Sequence, residues 1–406
     1  MPRDDIGETV DWIIEAAVSG AGEIEIVDGL CQRLNERGLP ILRMQLAHRV
    51  LHPVYAGLGL RWVREQGASQ EDWAREAGDM DSGLDNSPFG HLFRNNLDCW
   101  RFAIERSNAP GPFPIIDDLR ELGATDYILY ATGFKDTKFD GRVPLAQQEG
   151  MLSSWTVDSP GGYTDEQLAQ LPRVVRALGL AIKSARNQRM ARTLLEVYLG
   201  KDAGRRVLSG EVERGSVQTI SAVLWYCDMQ GFTKIAEASD SAALVDMLND
   251  YFDAIVTPIH EVGGEVLKFM GDGLMAIFKL GGQDTSSVCR VALDTVEEAR
   301  RRIAEVNQAR AIEGKATSDF YIAIHLGDVQ YGNIGSKERL DFTVVGPAVN
   351  KVSRIEAMCR PLEREVVLSS AFAKAATDCQ ERLVSLRRYA LRGVREPEEL
   401  FTLVPD

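Results

Sequence analysis

Apolar and polar positions change their spacing several times along the 406 residues, and each change marks an element. Residues 7–36 carry helical spacing in two stretches and predict two helices. Ile41-Leu-Arg-Met-Gln-Leu-Ala-His-Arg-Val-Leu51 alternates well enough for a strand, and residues 56–63 predict a second. The stretch 66–88 is acidic and rich in Gly, Ser and Asp, so a long loop is expected there. Pro110-Gly-Pro-Phe-Pro114 is a firm break. A short helix closes at 119–123, and strands are predicted at 127–131 and 151–157. Helices flanking a small antiparallel sheet make residues 1–163 an α+β, sensor-like unit.

Thr164 can cap a helix while Gln167 reaches back, the capping-box spacing, after the turn Ser159-Pro-Gly-Gly162. Leu168, Leu171, Val174, Val175, Leu178 and Ile182 then recur at helical spacing, with Pro172 as a kink or an early-turn proline. The pattern resumes through Met190, Leu194, Leu195 and Tyr198 to Gly200. Residues 164–214 are therefore expected to be a helical linker. Its apolar stripe either packs onto the first domain or pairs with a second copy as a parallel coiled coil.

From residue 215 the order changes. Strand 218–227, helix 233–255, strands 265–269 and 273–278 and helix 285–309 are expected in turn. Strands 319–327 and 341–345, helix 347–359, strand 365–369, a short helix and strands near 384–392 and 399–404 follow. Leu244, Leu248, Tyr251, Phe252 and Ile255 give helix 233–255 a buried face. Residues 215–406 thus read as a second α+β domain, with helices covering a mixed sheet.

A formal net charge of −14 argues against a general nucleic-acid or anionic-membrane binder. The six cysteines (31, 99, 227, 289, 359 and 379) form no C-x-x-C pair, so reduced, packed thiols are expected. Met-Pro-Arg-Asp-Asp is no signal peptide and no apolar run approaches a membrane span, which predicts a soluble, cytoplasmic protein.

Two aspartates carry the chemistry. Asp228 ends the apolar run Ala222-Val-Leu-Trp-Tyr-Cys, and Asp272 sits in the hairpin turn Gly271-Asp-Gly273. Carboxylates at strand ends are held rigidly and can clamp hard divalent cations on a triphosphate. The backbone of residues 229–233, entering a helix, offers N–H donors to phosphates. No Walker loop or dinucleotide glycine fingerprint occurs.

Residues 215–405 closely resemble the class III adenylate and guanylate cyclase catalytic domain, a ferredoxin-like, palm-type fold. The matching segments are Asp228-Met-Gln-Gly-Phe-Thr233, Lys268-Phe-Met-Gly-Asp272, Gly327-Asp-Val-Gln-Tyr-Gly-Asn-Ile-Gly335 and Asp341-Phe-Thr-Val-Val-Gly-Pro-Ala-Val-Asn350-Lys-Val-Ser-Arg354. Leu391-Arg-Gly-Val394 followed by Pro397-Glu-Glu-Leu-Phe401 fits as well. The resemblance implies that Asp228, Asp272 and the Met229 carbonyl hold two Mg²⁺ or Mn²⁺ ions per site. Gly231, Phe232 and Thr233 would meet the phosphates, Asn350 would orient the ribose, and Arg354 would neutralise the α-phosphate in the transition state. Arg392 would bind the triphosphate tail, with Arg395 as its substitute.

By the same resemblance Lys268 and Thr343 read the base, while Phe269 and Phe342 face the other way, into packing. A lysine can donate to adenine N1 but offers guanine no acceptor, so ATP is favoured and cyclic AMP and pyrophosphate are the expected products. Threonine at 343 marks the class IIIb subgroup and raises bicarbonate as an activator. The family site is shared between two catalytic domains. One chain carrying both halves therefore implies a C2 homodimer with two equivalent sites. A guanylate cyclase and a catalytically inactive nucleotide sensor are the alternatives.

Trp155-Thr-Val-Asp-Ser-Pro-Gly-Gly-Tyr163 and the helix after it resemble the GAF family faintly. Residues 1–163 are accordingly expected to bind an unknown small molecule or protein and to regulate the cyclase through helix 164–199. A plain dimerisation or docking domain is the alternative. His48 and His52 share one face of the first strand, where packing outweighs metal or haem ligation.

Overall fold

A computed structural model describes residues 3–51, 55–74, 86–107, 109–134 and 148–404. The chain divides into two compact units, residues 1–194 and 195–406.

The first unit runs α1 (Arg3–Val18), α2 (Glu23–Glu36), β1 (Ile41–Arg49), β2 (Tyr55–Val63), β3 (Gly67–Ala74), α3 (Pro88–Arg94), β4 (Cys99–Phe102), α4 (Pro114–Glu121), β5 (Asp126–Gly133), β6 (Gly150–Val157) and α5 (Asp165–Leu199). Its six strands form an antiparallel sheet in the order β3-β2-β1-β6-β5-β4. One face packs Met44, Leu46, Leu60 and Trp155 against Ile13, Leu30, Leu178 and Ile182 of the helices. The other face sets Tyr127 and Leu129 against Leu92, Ile116 and Leu119. β6, central and covered on both sides, is buried throughout.

The sequence reading missed both edge strands. β3 replaces the first part of the loop expected at 66–88, and the rest of that loop (75–85) lies outside the described residues. Gly-Ala-Ser-Gln-Glu-Asp-Trp-Ala is mostly exposed, so nothing forces apolar alternation on it; pairing with β2 alone makes it a strand. Four-residue β4 is the opposite edge. Asp126 is fully buried and is held by the Arg101 guanidinium and the Tyr163 amide, the latter at 3.1 Å.

The capping box forms as expected. Thr164 N–H donates to Gln167 Oε1 at 2.9 Å, and Gln167 N–H donates to Thr164 Oγ1 at 3.2 Å. Pro172 lies inside α5, where it removes the N–H that would reach the Leu168 carbonyl. The stripe Leu171, Val174, Leu178, Ile182 is buried within the first unit, whereas Val197 and Tyr198 are exposed.

The second unit continues with α6 (Lys201–Leu208), β7 (Val217–Met229), α7 (Phe232–Ala238), α8 (Ser241–Glu261), β8 (Glu265–Met270), β9 (Gly273–Lys279), α9 (Thr285–Ile312), β10 (Phe320–Gly335), β11 (Leu340–Val345), α10 (Pro347–Cys359), β12 (Val366–Ser369), α11 (Ser370–Ala375), β13 (Leu383–Tyr389) and β14 (Glu398–Leu403). Its sheet runs β13-β14-β12-β10-β7-β9-β8, with β11 also paired to β10. β10 is long enough to pair with β12 in parallel at residues 322–324 and with β11 further on at 330–335. Odd residues of β7 (Val223, Trp225, Cys227) bury against α8 and α9, and even ones (Ala222, Leu224) pack in the core that includes α10. Cover on both faces explains the unbroken apolar run before Asp228. One expected helix is two: Asp240 accepts from the Ala243 amide at 2.9 Å and starts α8 afresh. Among the described residues no helix is long and apolar enough to cross a membrane. All six cysteines are free, and only Cys99 is exposed.

Candidate functional site

β7 ends at Asp228 and Met229, and the β8–β9 hairpin turns at Gly271-Asp272 between the paired residues Met270 and Gly273. Gly271 supplies the positive φ, 68°, that a two-residue hairpin turn needs. Gly273 acts differently. A Cβ there would sit 2.3 Å from the Cys227 carbonyl oxygen and 2.8 Å from Asp228 Oδ1. Its missing side chain lets the hairpin lie directly on the end of β7, and so brings Asp272 to Asp228.

Asp228 feels the charge of Asp272. Asp228 is pushed up to about 6, first by partial burial and then by the charge of Asp272. Burial also raises Asp272, against the opposing pull of its own N–H and that of Met229. Among the described residues no lysine or arginine offsets either carboxylate. A third carboxyl, Glu356 of α10, is pushed up to about 7 by burial and by Asp228 and Asp272. Sequence reasoning missed Glu356. Its signal was an acidic position set in the apolar stripe Val352, Ile355, Cys359.

Hard oxygen donors close together, with no counter-charge among the described residues, suit Mg²⁺ or Mn²⁺. Among the described residues no group of three or more His, Cys, Asp or Glu side chains is placed to form an all-protein cage.

Gly231 takes a left-handed conformation (φ 69°) as the N-cap of α7, and Phe232 and Thr233 open that helix. N–H groups in a first helical turn have no carbonyl four residues back to bond. Lys268 is exposed on β8, and the strand that carries it touches β11, which carries Thr343. Thr343 is only 8% exposed, yet its hydroxyl has no hydrogen-bond partner among the described residues. Phe342 packs into the core as expected, edge-on to Tyr331 at 4.8 Å between ring centroids. Phe269 does not: it is 54% exposed and rests on Phe252 at 4.6 Å, because β8 is the edge of the sheet and has less cover there.

Asn350 is exposed in the first turn of α10, and Arg354 is half-buried one turn later. The Arg354 guanidinium lies 3.4 Å from where a Gly393 Cβ would stand, so the 391–394 turn closes over it. Arg392 and Arg395 are both exposed beside that turn. His48 is buried, with Nε2 3.0 Å from Glu23 Oε1, and His52 lies outside the described residues.

Residues 215–405 match the family described as the adenylate and guanylate cyclase catalytic domain. The adenylate cyclase of Anabaena cylindrica is 29% identical over 167 residues, 40% of this chain and 32% of that protein. Adenylate cyclase 1 of Rhizobium meliloti is 30% identical over 186 residues, 45% of this chain and 27% of that one. This chain therefore spans about a third of the length of these curated relatives. The solved adenylyl cyclase CyaB from P. aeruginosa aligns with a TM-score of 0.43 at 23% identity, over 47% of this chain and 97% of that one. Residues 215–405 belong to the class III adenylate/guanylate cyclase catalytic-domain family.

Proposed function

We propose that this protein is an adenylate cyclase that converts ATP to 3′,5′-cyclic AMP and pyrophosphate at sites shared across a homodimer. One observation carries the reading: two strand-end carboxylates converge, and among the described residues no cation of their own chain balances them. Such a half-site calls for metal ions, for a phosphate substrate and for positive charge from elsewhere. Asp228, Asp272 and the Met229 carbonyl would hold two Mg²⁺ or Mn²⁺ ions, which neutralise phosphate charge and favour loss of the ribose 3′-proton. Gly231, Phe232 and Thr233 offer backbone N–H groups to the phosphates.

Lys268 of the second copy donates to the base, and the Thr343 hydroxyl of that copy, which has no hydrogen-bond partner among the described residues, bonds it too. In the second copy Asn350 orients the ribose and Arg354 meets charge developing on the α-phosphate, the role in which a preorganised cation contributes most. Arg392 steadies the triphosphate tail. Residues 1–163 form a GAF-like regulatory domain whose signal passes along the helix that follows. Its ligand binds there, and bicarbonate acts at the catalytic domain.

Product analysis tests the chemistry: purified protein is incubated with ATP or GTP and with Mg²⁺ or Mn²⁺, with and without bicarbonate. Cyclic AMP is expected; cyclic GMP alone, or no product, refutes the reading. The shared site has its own test. Asp272→Ala and Arg354→Ala chains, each inactive, should regain activity on mixing, because one site per heterodimer is then intact. Failure to recover activity would sink the dimer.

A further inference from the structure

We propose that a cavity in the first unit, between β2, β3 and α5, binds a small monocarboxylate with an apolar body, held by Arg186. The cavity measures about 180 Å³, and Arg186, Arg189, Tyr55, Leu58, Gln70 and Met190 are among its lining residues, all within the first unit. A cavity of about 150 Å³ accommodates benzene, so the occupant is a single ring or a branched chain of similar size.

Two arginines one turn apart on α5 differ in how they are satisfied. Arg189 is taken: it pairs with Glu23 and reaches Gln70 Oε1 at 3.5 Å. Arg186 is 9% exposed, and its Nε has no hydrogen-bond partner among the described residues. No carboxylate of the described residues forms an ion pair with it, and its contact is the face of Phe134, 5.0 Å from the ring centroid. Burial, helped by Arg49, opposes its charge and prevails over Glu149 and Glu23, which favour it. A guanidinium carries donors in a planar fork that matches a carboxylate, and burying it unpaired is costly. A largely buried guanidinium with an unpartnered Nε–H, and no ion pair among the described residues, on the wall of a cavity is therefore a receptor for an anion. Leu58, Val50 and Met190 supply the apolar surface for the rest of the molecule. Asp72 also lines the space, but it is exposed and accepts from the Gln70 amide at 3.0 Å, so it disfavours dianions at the mouth without filling the Arg186 fork.

The inference deepens the regulatory reading of residues 1–163 and rests on it only for its consequence, since binding is measured apart from catalysis. Full-length protein is titrated calorimetrically with benzoate as the probe, with benzyl alcohol and inorganic phosphate as controls. Saturable benzoate binding is expected, with Kd on the order of 1 mM or below. Benzyl alcohol should bind at least about tenfold more weakly, for want of the charge. Met190→Trp, which fills the cavity and leaves Arg186 in place, should abolish binding. Arg186→Met should abolish it too while leaving the thermal midpoint of the free protein unchanged or raised, because it removes an unpaired buried charge.

A lowered midpoint for Arg186→Met would assign Arg186 a structural role and overturn the proposal. So would benzoate binding that survives either substitution, phosphate binding as tight as benzoate, or no benzoate binding. If benzoate binds as described but cyclase activity does not respond, the site stands and only its regulatory consequence falls.

Discussion

Gly273→Ala adds one methyl group at the junction that brings the two aspartates together. Gly273 has no left-handed φ, so its backbone suits alanine and the effect comes from the clash alone. The new Cβ would stand 2.3 Å from the Cys227 carbonyl oxygen, against roughly 3.4 Å for an ordinary contact, so the hairpin must withdraw by about 1 Å. The atom in the way is backbone of a central strand, which cannot give. The hairpin moves, and Asp272 moves with it. A displacement of about 1 Å in a metal-positioning group costs on the order of 10²-fold in rate, or about 2.7 kcal/mol of barrier. The overpacking itself costs about 1–3 kcal/mol of stability.

Gly271→Ala is the control. Its Cβ meets nothing within 4 Å, but φ is 68°, so it loses about 1 kcal/mol through backbone strain and far less activity. Single-turnover cyclisation, Mn²⁺ titration and urea denaturation of both variants separate the effects. A Gly273→Ala enzyme with native Mn²⁺ affinity and a rate within about threefold of wild type would refute the argument that hairpin contact sets the site.

Thr343→Val removes a buried hydroxyl that has no partner among the described residues, so denaturation should show unchanged or raised stability. If that hydroxyl serves the base, KM for ATP should rise about 5- to 10-fold, and a marked loss of stability would contradict the assignment. His325 is buried against Ser369 Oγ at 2.8 Å, and burial, then the Lys351 charge, lowers its pKa to about 4 despite Glu398. Its folded pKa lies below its unfolded value of about 6.5, so its stability contribution is full above pH 6.5 and is lost as pH falls toward 4. About 3 kcal/mol should disappear across that window; a His325→Gln variant should show a correspondingly flatter denaturation profile, and identical profiles would rule the effect out. Arg101→Ala leaves Asp126 buried without its cation, and the first unit should lose about 3 kcal/mol by denaturant titration.

Order and type of the elements around the site were legible because each strand or helix there buries a face and its periodicity records it. β7, the β8–β9 hairpin and α10 fall where apolar spacing puts them, and Asp228 and Asp272 stand at strand ends that motif and turn chemistry mark locally. Edge strands were not legible. β3 and β4 have less cover than the strands inside the sheet, so little in their residue pattern announces pairing, and Phe269 stays exposed on edge strand β8 for the same reason.

Tertiary structure alone decided which groups act on one another. Glu356 joins the aspartates because α10 crosses the end of β7, a juxtaposition that no spacing in the chain encodes. Arg186 and Arg189 look equivalent on one helix, and only folding gives Glu23 to the second and leaves the first facing a cavity. Local sequence sets backbone conformation and which faces turn inward. Long-range packing sets the distances between charges, and Coulomb interaction and desolvation depend on those distances and on burial, whatever the spacing along the chain.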